Sequence, residues 1–120
     1  MESIGVQTKS LKAILEEKRE NRRVLVLYAN YNTQHFLIEQ QEALHMQTEQ
    51  LAERELDVIA LVGYDLPEPD RQFLMQEPFR LLPSNNFQGW LIGKDGGVKH
   101  TFQKPVEPTE LFRLMDDQSM

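Results

Sequence analysis

The chain has 120 residues, no cysteine and a formal net charge of −6. That length suits one domain with a modest core, and the lack of cysteine excludes disulfides, thiolate nucleophiles and cysteine-ligated metal centres made from the chain's own side chains. The negative balance disfavours nucleic acid as a partner, because phosphate binding needs basic surface that displaces counterions.

In chain order, residues 1–9 show no basic start followed by an apolar run, so the expected location is cytoplasmic. Residues 10–20 place Leu11, Ile14 and Leu15 on one helical stripe with Ser10 as N-cap. The basic cluster Lys18-Arg19 with Arg22-Arg23 reads as the cationic end of that helix. Arg23-Val-Leu-Val-Leu-Tyr-Ala29 is a strand covered on both faces; its apolar run, the longest in the chain, is far short of the roughly 20 residues that span a bilayer, and no membrane contact is expected.

From Thr33 to about Glu53 there is neither proline nor glycine, and Leu37, Leu44 and Leu51 recur every seven residues. The pattern predicts one helix of roughly 30 Å. Leu56 to Val62 is the next buried strand, parallel to the first through a right-handed crossover. Residues 63–86 are irregular and carry four prolines, with a short helix expected within Asp70–Glu77 before Pro78. Phe73, Leu74, Met75, Phe79, Leu81 and Leu82 make an apolar cluster there, mostly core.

Phe87–Gly93 and Val98–Phe102 are the arms of a hairpin in which Asp95-Gly96-Gly97 supplies the positive φ that a two-residue turn requires. Trp90 is expected to anchor it. Pro108 then suits the first turn of a terminal helix that buries Leu111, Leu114 and Met115. The expected fold is α/β: a central mixed sheet of about four strands with a carboxyl-terminal hairpin, flanked by helices, in one domain over 1–120 whose ends, 1–9 and 117–120, are loose.

That order is the order of a thioredoxin-like core, and particular segments carry a closer likeness. Arg23 to Ala29, Arg54 to Leu61, Leu91-Ile-Gly-Lys-Asp-Gly-Gly-Val-Lys99, and Leu111-Phe112 with Asp116 together resemble a peroxiredoxin-like family of unknown function. Its DUDES-type domain is shared by bacterial single-domain proteins and by modules of vertebrate sushi-repeat and matrix proteins. The resemblance implies a thioredoxin-like fold without an established enzymatic activity.

In thioredoxins the reactive cysteine pair lies where the first central strand meets the long helix, whose N-terminus stabilises a thiolate. Matching that motif onto Tyr28-Ala-Asn-Tyr-Asn-Thr-Gln-His35 puts Asn32 and His35 at the cysteine positions, so a thiol cycle through this chain's own residues is excluded. Tyr31, Asn32, Thr33, Gln34 and His35 are the candidate binding residues. A helix start can hold a carboxylate or phosphate; alternatively Asn32 or Thr33 caps the helix and His35 occupies its first turn. Before the hairpin, where thioredoxins carry a cis-proline, stands Asn86-Phe-Gln-Gly89, with Pro83 several residues too early.

No cofactor or metal is expected. His35 and His45 lie ten residues apart and do not share a helix face. Their i, i+4 neighbours Glu39 and Glu49 suggest surface contacts, and Asp65, Glu68 and Asp70 lack the glycine turn of a calcium loop. The sequence therefore favours a redox-inactive module that binds a protein, a peptide or a small anion, at residues 32–35 or along the 64–89 crossover. The rival is an enzyme using His35 as acid or base beside Tyr31 and Asn32, and self-association through the crossover cluster, giving a homo-oligomer, is a third reading.

Overall fold

A computed structural model of the protein describes residues 2–3, 9–82 and 86–117. The expectations for the remaining end residues and for Pro83 lie outside the described residues.

The apolar run Arg23–Ala29 is the sheet's central strand, β2 if the edge strand Glu2–Ser3 is β1. Its side chains alternate between two cores: Val24, Val26 and Tyr28 enter one, Leu25, Leu27 and Ala29 the other. Burial on both faces is what such a run requires. Strand β3 (Leu56–Val62) pairs with it in parallel from Arg23↔Leu56 to Ala29↔Val62, and β4 (Phe87–Ile92) antiparallel from Val24↔Ile92 to Ala29↔Phe87. Strand β5 (Val98–Phe102) extends the sheet beyond β4, giving the order β1-β3-β2-β4-β5.

Helices α1 (Leu11–Lys18) and, within the 64–89 crossover, α4 (Glu68–Met75) cover the first core, where Leu11, Ile14, Leu74, Phe79 and Trp90 meet. Ser10 caps α1 as expected, its hydroxyl accepting from the Ala13 N–H at 3.1 Å. Buried Asp70 accepts from the Leu11 N–H (3.0 Å), tying α4 to the start of α1. Helices α2 (Gln34–His45), α3 (Thr48–Glu53) and α5 (Pro108–Asp117) lie on the other side, α2 and α5 supplying Leu37, Leu44, Leu111, Phe112 and Met115 to the second core. Trp90 is fully buried and donates its indole N–H to the Phe79 carbonyl at 3.0 Å. In the crossover Leu74, Phe79 and Leu81 are core, while Met75 and Leu82 are exposed.

Two expectations are corrected, and the four expected strands gain a short neighbour. The single long helix is two, α2 and α3, broken at Met46-Gln47, where Gln47 takes ψ 34° and the Thr48 hydroxyl donates to the His45 carbonyl (2.7 Å). That local bond competes with the helical ladder without any proline or glycine, yet Leu37, Leu44 and Leu51 still face one core. The hairpin loop has three residues, Lys94–Gly96, closed by the Gly93 N–H on the Gly97 carbonyl (3.0 Å), and Gly96 alone of its glycines has positive φ (85°). Glu2–Ser3 pair in parallel with Ile59 and Ala60, so a two-residue edge strand joins the four expected ones.

Candidate functional site

The junction leaving β2 is locked by its own polar side chains. Asn30 precedes a 3₁₀ turn, Tyr31–Thr33, that feeds α2. The Asn30 carboxamide oxygen accepts from the Thr33 N–H (3.0 Å) and the Thr33 hydroxyl oxygen accepts from the Asn30 N–H (3.2 Å), a reciprocal capping box. The cap is thus Asn30, one turn earlier than the expected Asn32 or Thr33. The reason is the intervening 3₁₀ turn, which shifts the first unpaired amides upstream of the α-helix.

Asn86, at the position before β4, completes the lock. Its carbonyl accepts from the Asn30 N–H (3.0 Å) and from the Thr33 hydroxyl (2.8 Å), and its side-chain oxygen accepts from the Asn30 amide (2.9 Å). Asn86 therefore spends its backbone carbonyl inward, on the junction itself.

The five candidate residues divide by environment. Thr33 is buried and its hydroxyl is committed to Asn30 and Asn86, so it supports the site and does not line it. Tyr31, Asn32 and His35 are exposed, and Gln34 is half-buried. The His35 ring lies 4.2 Å from the Phe36 ring centroid, and among the described residues no hydrogen bond or ion pair orients its imidazole. The pairs His35–Glu39 and His45–Glu49 do not form; the helix break separates the second. Among the described residues no three histidine, aspartate or glutamate side chains converge as metal ligands. Of the crossover acids, Asp70 turns inward to α1 and Glu68 accepts from Gln72 (3.2 Å).

Tyr64 is the residue that sequence reasoning missed here. It sits in a 3₁₀ turn, Gly63–Asp65, that follows β3, and the parallel pairing Ala29↔Val62 brings this turn beside the one following β2. The Tyr31 and Tyr64 rings meet edge to face at 6.1 Å, and the Gln34 amide donates to the Tyr64 hydroxyl at 3.1 Å. Both rings remain open, at 77 % and 64 % of full exposure. The turn below Tyr64 is fixed: the Arg71 guanidinium donates to the Gly63 carbonyl, and a Cβ on Gly63 would fall 2.6 Å from the Tyr28 hydroxyl. A bulky residue following a buried strand and a glycine was the only signal available in the sequence, and it is common in loops.

A parallel β2–β3 pair extended antiparallel by β4 and β5, flanked by helices, is a thioredoxin-like fold. Solved structures agree at the level of fold. The reduced 2-Cys peroxiredoxin of Plasmodium vivax is 14 % identical with a TM-score of 0.64, covering 88 % of this chain and 82 % of that one. The mitochondrial 2-Cys peroxiredoxin of Plasmodium falciparum is also 14 % identical, with a TM-score of 0.59 over 88 % and 80 %. A DsbF homologue from Corynebacterium diphtheriae is 11 % identical, with a TM-score of 0.58 over 86 % and 75 %. The chain belongs to the family described as Domain of unknown function (DUF4174), which matches residues 14–120. No curated protein matches it. Among the described residues no helix is long and apolar enough to cross a membrane.

Proposed function

We propose that this protein is a redox-inactive thioredoxin-like module that binds a polypeptide at the face formed by Tyr31, Asn32, Gln34, His35 and Tyr64. The observation that carries the reading is the pair of exposed tyrosine rings held in mutual contact at the position where a thioredoxin-like enzyme keeps its thiols. Tyrosine gives large contact area at low entropic cost and is enriched at interface hot spots. A small anion is the weaker ligand, because Asn30 already takes the Thr33 amide that an anion at this turn would seek. Acid–base catalysis by His35 lacks an orienting partner for the imidazole.

The likeness of the central strands and the glycine-rich hairpin to the peroxiredoxin-like modules of sushi-repeat and matrix proteins supports the same reading, since that resemblance implies no established enzymatic activity. The test is a photo-crosslinking side chain placed at Tyr31 and, as control, at Met46, which is exposed on the α2–α3 break. A discrete polypeptide adduct from position 31 that is absent from position 46 is the expected result. Adducts of equal yield at both positions, or none at 31, would overturn it.

A further inference from the structure

We propose that the cleft between α1, α4 and the hairpin loop binds a small amphipathic carboxylate, its aromatic or aliphatic body on an apolar floor and its charge against Lys12 and Arg19. This cleft lies at the other end of the sheet from Tyr31, because the Val24↔Ile92 pair borders it whereas Ala29↔Phe87 lies at the tyrosine end. Its volume is about 160 Å³, and Leu15, Val24, Phe73, Phe79 and Ile92 form its floor. An apolar cavity of about 150 Å³ admits benzene, so a phenyl ring fits this one.

The rim chooses the sign of the charge. Lys12, Lys18, Arg19 and Arg22 line the cleft, against the single carboxylate of Glu16, in a chain whose net charge is −6. Lys18 and Arg22 are already held by Asp57, each at 2.7 Å. Lys12 and Arg19 are exposed and, among the described residues, make no side-chain hydrogen bond or ion pair, although Asp95 of the hairpin loop, itself held by Lys99 at 2.7 Å, feels the Arg19 charge. The Arg19 stem packs over the loop, where a Cβ on Gly96 would fall 3.2 Å from its Cδ, which keeps the guanidinium at the mouth. A guanidinium recognises a carboxylate through paired N–H donors. Bare phosphate would satisfy the rim and leave the apolar floor without a partner, and a neutral hydrocarbon would do the reverse.

Trp90 is the chain's only tryptophan, and its ring meets Phe79 of the floor edge to face at 5.6 Å. Its single indole N–H resonance, bonded to the Phe79 carbonyl, therefore reports occupancy without further assignment. The experiment titrates ¹⁵N-labelled protein at low salt with phenylacetate and, separately, with the isosteric phenylacetamide. A saturable shift of the indole resonance is expected with phenylacetate, about tenfold weaker with the amide and about tenfold weaker for phenylacetate in K12Q/R19Q, each tenfold being a modest single-interaction loss. Both substitutions are at exposed positions, so an unperturbed starting spectrum verifies the fold of the variant. No saturable shift with phenylacetate on the order of ten millimolar, equal binding of acid and amide, or unchanged binding in K12Q/R19Q would each overturn the proposal.

Discussion

Asn30 and Thr33 each accept from the other's backbone amide, and Asn86 accepts from both, so the start of the site depends on two side chains that a ligand would barely touch. Asn30→Ala removes the cap and the side-chain bond to Asn86 together, leaving the backbone bond, and it is expected to cost about 1–2 kcal/mol in urea unfolding. Asn32→Ala, at an exposed position without a side-chain hydrogen bond among the described residues, should stay within about 0.5 kcal/mol of wild type. Equal effects would show that the cap is misassigned. At this scale the sequence was partly legible. The junction Tyr28 to His35 stood out because of its place between strand and helix, with Asn32 or Thr33 read as the cap, but several polar residues in a row each satisfy the capping preference, and only the 3₁₀ turn decides for Asn30. Tyr64 was not legible as a neighbour of Tyr31, since their contact exists only after β2 and β3 pair in register.

Between elements, the clearest electrostatic tie joins the end of α1 to β3. Asp57 accepts from Lys18 Nζ at 2.7 Å and from Arg22 Nη2 at 2.7 Å. Partial burial by itself would raise the Asp57 pKa; the hydrogen bonds from Arg22 and Lys18 outweigh it and hold the carboxyl below its ordinary value. A carboxylate whose folded pKa is depressed contributes stability above its unfolded pKa, about 3.9, and loses that contribution as pH falls through the folded value. Asp57→Asn is therefore expected to cost about 1–2 kcal/mol at neutral pH, a modest figure because the pair is partly solvated. The gap from wild type should shrink below about pH 4. Urea unfolding at pH 7 and pH 3 checks this, and a gap of the same size at both would contradict it. The basic cluster was legible only as a helix end; its partner lies 35 and 39 residues away and leaves no local trace. Strands β2 and β3, by contrast, were readable because continuous apolar runs have few alternatives to a doubly covered sheet. The break in the long helix was not, because the Leu37, Leu44 and Leu51 stripe runs straight across it.

Over the whole molecule, the sheet separates two surfaces of different character. Exposed tyrosines sit where β2 and β3 end, and a basic-rimmed apolar cleft sits where they begin. The fold is shared with thiol enzymes, while the chemistry that distinguishes them requires cysteines that this chain lacks. Composition alone makes that exclusion firm, and the function proposed for the tyrosine face is contact with a polypeptide. The measurement that bears most directly on this account is the affinity of the polypeptide recovered by crosslinking at Tyr31, compared between wild type and a Tyr31→Ala, Tyr64→Ala variant of unchanged unfolding midpoint. Hot-spot aromatics predict a weakening of about thirtyfold or more, equivalent to about 2 kcal/mol; affinity unchanged by the loss of both rings would contradict it.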